Sequence, residues 1–382
     1  MSKKALKSEN ARRLEVVSRC STTLVGVLLI SLWLLTALDS KLSWVLIGED
    51  RFVEWASAWC YFLAGAFFLR KVWEFRRAGK RVLVLFGLAA ICVFIALEEI
   101  SWGQRIFGYQ PGAFFLKQNV QQETNLHNLL GPLLRDALFL LFVAGYGLVL
   151  PIWRRQTHQD SNQILRFIAP PNSLVFVFGL VAILYMLPIS WMSQEIAELG
   201  LALALLVSAI LTPEALHEED ASHSHHRTSL LVWASVCVVC AALLSEWYTT
   251  STRTGSPDSI AQAKRELAAL KEDFLAFGET VGELPVTLGL DERLYQFQQK
   301  LGQYSPTFGT YHFCFADDES NRAKYLIDPW HSPYWIVDTY SNGKRQLLLI
   351  SNGPNRRRDG WPVFSGGDDL VVEVLTSKDS HP

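Results

Sequence analysis

Seven apolar stretches, near 22–38, 53–70, 82–97, 133–151, 173–189, 195–211 and 229–246, constrain this chain more than any other feature. A helix needs about 20 predominantly apolar residues to cross roughly 30 Å of hydrocarbon. Several of these runs are shorter than that, so interfacial residues must complete the crossing. The 382 residues are 50% hydrophobic and 19% charged. A soluble chain of that composition spreads its apolar residues through amphipathic elements, whereas here they are bunched. Lys3, Lys4, Lys7, Arg12, Arg13 and Arg19 precede the first run. Because six more runs follow it, that run reads as an uncleaved anchor and not as a signal peptide. The six cysteines, at 20, 60, 92, 237, 240 and 314, spell neither a disulfide framework nor a paired CxxC metal site. A formal net charge of −2 gives no basic footprint for nucleic acid.

Orientation follows from Lys and Arg in the connections. With the N-terminus inside, the cytoplasmic segments hold sixteen and the outer loops four. Trp44, Trp102, Trp191 and Trp247 then mark the outer interface, and Trp73 and Trp153 the inner one. The expected layout is a cytoplasmic segment 1–21, a seven-helix membrane domain 22–246, a polar linker 247–256 and an extracytoplasmic domain 257–382.

This topology collects polar residues at the outer ends of the spans. Glu195 and Glu198, three apart, share a helix face. The densest stretches are Glu98-Glu99-Ile100-Ser101-Trp102-Gly103-Gln104-Arg105 and Asn119-Val120-Gln121-Gln122-Glu123-Thr124-Asn125-Leu126-His127-Asn128. The pair resembles segments that recur in uncharacterised bacterial multi-pass membrane proteins, a likeness that brings no activity with it. Three readings stay open. One is a capping network that closes span ends and holds the 98–131 loop down. The second is a cleft for a lipid headgroup or small polar ligand, built from Ser101, Arg105, Glu123, Asn125, Glu195 and Glu198, since acids in spans are functional candidates. The third is catalysis, with Glu98, Glu99 and His127 as acid, base or metal ligands, on lipid or lipid-linked substrates. A catalytic zinc takes three protein ligands, and His127 is the one histidine on the outer side of the membrane half.

Beyond the linker the pattern changes. Ser256-Pro257-Asp258 is a helix start, with Ser as N-cap and Pro at the first helical position. Ile260, Ala263, Leu267, Leu270, Phe274 and Phe277 form one apolar stripe, and Gly278, Gly282 and Pro285 are expected to end it. A shorter helix is predicted over 291–301, and strands over 324–328, 334–340, 345–351 and 369–375. Asn342-Gly343 reads as a hairpin turn. A long helix on a small antiparallel sheet is an α+β domain.

The residues here resemble the major pseudopilin of type II secretion systems. Asp328-Pro329-Trp330-His331-Ser332-Pro333-Tyr334 is similar to that family's Asp-Pro-Trp-Gly-Asn-Pro-Tyr segment, and 263–285 is similar to its long helix and exit. Ser351-Asn352-Gly353-Pro354-Asn355, with Gly366-Gly367-Asp368-Asp369-Leu370, resembles its C-terminal loop. The resemblance covers about 257–375. It implies a pseudopilin-like fold, calcium held near Asn355, Asp368 and Asp369, and type II secretion or other envelope proteins as partners, alongside the lipid bilayer. The family's Gly-Phe-Thr-Leu-Ile-Glu processing motif is replaced before the seventh run by His226-Arg227-Thr228-Ser229-Leu230-Leu231. The expectation is therefore a multi-pass inner-membrane protein that presents a periplasmic pseudopilin-like domain for protein interaction or sensing, not a fibre subunit.

Overall fold

The computed structural model describes every residue except 1–2, 49, 78, 80–81, 120, 157–167, 188–190, 212–221, 252–254, 282–285, 287–288, 305–320, 342–343, 360–366 and 378–382. The chain divides into two units that interleave along the sequence: Met1–Ile100 with Leu130–Trp247, and Ser101–Leu129 with Tyr248–Pro382.

The first unit is helical. Among the described residues each of the seven apolar stretches overlaps a helix, and five helical stretches are long and apolar enough to cross a membrane: Glu15–Leu38, Leu42–Arg77, Pro132–Gln156, Met192–Leu211 and Arg227–Ser251. The helix Leu83–Glu99 qualifies only together with the short segment Ser101–Phe107 that follows it, and Asn172–Met186 is shorter still. The charged N-terminus is continuous with the first apolar run in one helix, Lys3–Leu38, with Glu9–Arg13 and Glu15–Arg19 paired one turn apart at 2.6 Å each.

Burial divides these helices into a centre and a periphery. The Met192–Leu211 stretch is 78% buried, against 22% for Glu15–Leu38 and 17% for Arg227–Ser251. The helix Trp191–Leu211 therefore forms the middle of the bundle. Gly200 lets its neighbours approach, because a Cβ there would lie 2.7 Å from Val181 and 2.8 Å from Leu29. Outward-facing side chains such as Leu24, Leu133, Leu141, Trp233 and Leu244 are large, apolar and exposed. So many large apolar side chains left exposed belong against lipid or a partner.

The second unit is an α+β head. Ser256 caps the helix Pro257–Val281 through its Oγ, which accepts from the Ser259 amide at 3.1 Å. Of the predicted stripe, Ala263, Leu267, Leu270, Phe274 and Phe277 are buried and Ile260 is half-buried. It packs over a four-stranded antiparallel sheet, in the order β1 (Asp291–Arg293), β2 (Trp335–Ser341), β3 (Lys344–Ser351), β4 (Leu370–Ser377). A register shift between Leu347 and Leu348 bends the β3–β4 pair. Leu294, Phe297, Leu326, Ile336, Leu347 and Leu349 complete the core.

The long helix ends at Val281, within the Gly278–Pro285 segment expected to end it; Gly282 and Pro285 lie outside the described residues. Three local expectations are corrected. Residues 291–293 form β1 by pairing with β2, and the second helix starts only at Leu294. The expected strand at 324–328 is a helical turn, Asn321–Lys324, followed by a single bridge from Ile327 to Pro333. There the Asp328 side chain binds the amides of Trp330 and Ser332, at 3.0 and 2.9 Å, and pins a turn in place of a ladder. The helix Ser222–Ser251 also carries on into the polar stretch assigned to the linker. Asn342-Gly343 lies outside the described residues, and the strands on either side of it pair in register.

Candidate functional site

The loop Ser101–Leu129 folds with the head. Leu116, on the short helix Ala113–Gln118, is fully buried in the head's core beside the long-helix stripe. Gln122 Nε2 donates to the carbonyl of Tyr325 at 3.0 Å, and Arg356 Nη2 donates to the carbonyl of Gly108 at 2.6 Å.

Within this loop the structure gathers four of the predicted binding residues. Glu123 Oε2 accepts from Ser101 Oγ at 2.7 Å, from Arg105 Nη2 at 3.2 Å and from Asn125 Nδ2 at 3.3 Å. Arg105 Nε also reaches Ser101 Oγ at 3.3 Å. A second tier braces the first. Asn119 Nδ2 donates to Asn125 Oδ1 at 2.7 Å, and Gln104 Oε1 accepts from the Thr124 amide at 2.8 Å. Ser101, Gln104, Arg105, Asn119, Gln122 and Asn125 are all buried. The chain achieves this by a sharp left-handed reversal, with φ of 46° at Ser101, 54° at Trp102 and 88° at Gly103. Only Gly103 adopts such a backbone without cost, so packing must hold Ser101 and Trp102 there. What the arrangement does chemically is neutralise a buried guanidinium with one carboxylate and satisfy that carboxylate with hydroxyl and amide donors.

The remaining predicted residues are divided between the units. Glu98 and Glu99 close the helix Leu83–Glu99 in the first unit, Glu98 buried and Glu99 half-buried, while His127 opens a short turn, His127–Leu129, in the second. Glu195 and Glu198 are half-buried on the central helix. The structure adds two tyrosines that sequence reasoning missed. Tyr61 donates to the carbonyl of Glu198 at 3.2 Å and lies within electrostatic reach of Glu99 and Glu198. Tyr185 donates to Asp136 Oδ1 at 2.9 Å, which also accepts from Arg135 Nε at 3.1 Å. Both tyrosines sit inside apolar runs, where a phenol needs a polar partner. That requirement was the available signal.

In the C-terminal loop the structure brings Asp359 beside the expected Asn355, Asp368 and Asp369. Carboxylate oxygens of Asp359, Asp368 and Asp369 lie within 4.8 Å of one another. Asn355 serves them as a brace: its amide nitrogen donates to Asp359 Oδ2 at 2.7 Å and its backbone N–H to Asp368 Oδ2 at 3.0 Å. Its side-chain oxygen accepts from the Arg357 amide at 2.7 Å. Burial, with the neighbouring Asp359 charge, pushes the Asp368 carboxyl up against two opposing backbone hydrogen bonds and Arg357. Asp368 Oδ1 is buried without a hydrogen-bond partner among the described residues. Three hard oxygen donors with an unsatisfied buried oxygen fit a divalent cation, and Arg357 Nε, 3.3 Å from Asp359 Oδ1, offsets part of the charge.

Asp328 and His331, in the turn that leads to Tyr334, are both perturbed. Burial pushes the Asp328 carboxyl up to about 7, against hydrogen bonds from Ser351, Ser332 and Trp330 and the Arg356 charge. Burial, with the charges of Arg356 and Arg322, brings the His331 imidazole down to about 4. Unfolded values are about 3.9 for Asp and about 6.5 for His. Between about pH 4 and 7 the folded head keeps a proton on Asp328 that the unfolded chain has lost, so this contribution to stability falls as pH rises. Between about pH 4 and 6.5 the unfolded chain binds a proton at His331 that the folded head does not, so that contribution rises with pH. The two oppose each other. Amide exchange of β2 and β3, corrected for intrinsic rates, is expected to show a nearly flat stability profile from pH 4.5 to 6.5. His331→Asn should make stability fall with pH, and Asp328→Asn should make it rise. Parallel profiles for the two variants would refute the assignment.

Comparison with protein-family models, with characterised proteins and with solved structures gives no match.

Proposed function

We propose that this chain is a multi-pass inner-membrane protein of seven spans, N-terminus cytoplasmic, whose periplasmic pseudopilin-like head docks an envelope protein of the secretion type. The observation that carries this reading is the root of the head. Ser101, Arg105 and Asn125 bond Glu123, Asn119 bonds Asn125, and Leu116 and Gln122 engage the head's core and the Tyr325 carbonyl. A loop so used supports a domain built for binding. Membrane-impermeant thiol labelling tests the topology: Lys344→Cys, exposed at the start of β3, is expected to react in intact cells and Arg77→Cys is not. Photo-crosslinkers at exposed head positions such as Glu373 then test docking, and crosslinks to no envelope protein in living cells would refute it.

The same reading places calcium at Asp359, Asp368 and Asp369, where a bound cation would relieve the repulsion among three carboxylates. Added calcium is expected to slow amide exchange in 353–359 and β4, a chelator to reverse this, and Asp368→Asn to abolish it.

One observation favours a second reading. The left-handed Ser101–Trp102 step lies beside the half-buried Glu123 and the buried Arg105, and strained backbone collects at reactive sites. The alternative is a hydrolase or transferase acting on lipid or lipid-linked substrates, using Glu98, Glu99 and His127. Unchanged turnover in Glu99→Ala and His127→Ala chains would exclude it.

A further inference from the structure

A cavity of about 950 Å³ lies within the first unit, where the first helix meets the ends of several others. Its charged end holds Arg19, Arg154, Arg155 and Arg227, with Glu15 the one carboxylate among the described lining residues. That carboxylate is bonded to Arg19 at 2.6 Å, so the described lining carries a net positive charge. Two of the arginines are held by the fold. Arg154 donates to the Ala169 carbonyl at 3.2 Å and to Asn172 Oδ1 at 2.9 Å, and Arg227 donates to the Leu211 carbonyl at 3.1 Å.

The cavity changes character along its length. The first helix lines it from Glu15 to Ile30, which is about 22 Å at 1.5 Å per residue. The first turns present Ser18, Arg19, Thr22 and Thr23, and the last present Gly26, Val27 and Ile30. Gly26 leaves room for the ring of Phe176, which a Cβ would approach to 3.1 Å. Val27, Ile30 and Phe176 are 57%, 40% and 60% exposed, so the apolar part opens sideways onto the face that meets hydrocarbon. A soluble phosphate compound would use the arginines and leave this wall idle. An amphiphile uses both.

We infer that this cavity binds an anionic glycerophospholipid, with the phosphate among Arg19, Arg154, Arg155 and Arg227 and an acyl chain along Gly26–Ile30 and Phe176. Guanidinium groups match phosphate oxygens in pairs, and basic pockets between membrane helices suit anionic headgroups. The inference rests on the membrane reading and not on docking by the head.

The full chain, reconstituted in vesicles of phosphatidylcholine with 20% phosphatidylglycerol and then re-extracted in mild detergent, is the material for the test. Lipid retained per chain is counted by mass spectrometry. Wild type is expected to retain phosphatidylglycerol at least tenfold above its share of the vesicle. Arg19→Gln/Arg155→Gln, both exposed positions, should bring retention to near parity with an unchanged melting temperature. Gly26→Leu should also lower retention while leaving all four arginines in place. Millimolar inorganic phosphate should not compete. Equal retention of both lipids, or a preference that survives the arginine variant, would overturn the inference and leave the cluster a determinant of orientation only. Displacement by inorganic phosphate would overturn it in favour of a soluble ligand. A chain that fails to float with the vesicles would refute the membrane reading itself, which separates that failure from this one.

Discussion

Replacing Glu266 with alanine is expected to destabilise the head by about 3–5 kcal/mol, the usual cost of stranding one partner of a buried ion pair. Glu266 sits on the buried side of the long helix and accepts two hydrogen bonds from Arg322 Nη2, each 2.8 Å, and one from Tyr334 at 2.7 Å. Arg322 in turn donates from Nε to the carbonyl of Asp328 at 3.2 Å. One carboxylate therefore ties the long helix, the Asn321–Lys324 turn and the segment leading into β2. Without it a guanidinium and a phenol lose a charged acceptor in the interior. Read by amide exchange in the full chain, the loss should speed the slowest β2 and β3 amides by about a hundredfold or more, at 1.4 kcal/mol per factor of ten. Glu266→Gln keeps an acceptor for Tyr334 and should fall between the two. A change of less than threefold in Glu266→Ala would mean that the knot is not what holds the head together.

Glu123→Ala is expected to act on the loop in the same way and by a smaller amount, about 2–4 kcal/mol, because Glu123 retains some exposure. Its Oε2 is the common acceptor for Ser101, Arg105 and Asn125, so its removal leaves the buried Arg105 without that carboxylate. Exchange should rise tenfold or more across 101–107 and 119–127, while the pairing of β2 with β3 stays protected. Glu123→Gln separates the two functional readings. As a scaffold, the site should tolerate the amide, which still accepts from Ser101 and Asn125, and head crosslinking should persist. As a reactive centre, it should lose turnover with the loop intact.

Local signals were read correctly wherever they are complete within a few residues. The apolar runs became helices because run length and composition decide what a backbone can bury. Ser256-Pro257 started a helix because cap and fixed φ act on adjacent residues, and β2, β3 and β4 formed within two residues of their predicted bounds. The misplacements share a cause. Residues 291–293 became a strand because β2 supplied a partner, and 324–328 did not because Asp328 bound its own neighbours' amides.

The candidate site was legible as a list of residues and illegible as an assembly. Ser101, Arg105, Glu123 and Asn125 were singled out by density of polar groups in an outer loop, and the structure joins them through one oxygen. That Leu116 completes the core of a domain more than 130 residues further along was not readable, nor that Gln122 bonds the carbonyl of Tyr325. The same holds for Tyr61, Tyr185 and Asp359, each of which matters through a partner distant in the chain or brought round by a turn. Sequence by itself determined the apolar helices, the long helix of the head, strands β2 to β4, and where charge and apolar surface lie, because periodicity and capping act over one or two turns. Tertiary structure alone decided that a loop between two apolar runs belongs to the head, because that choice depends on which distant surfaces exclude water from each other.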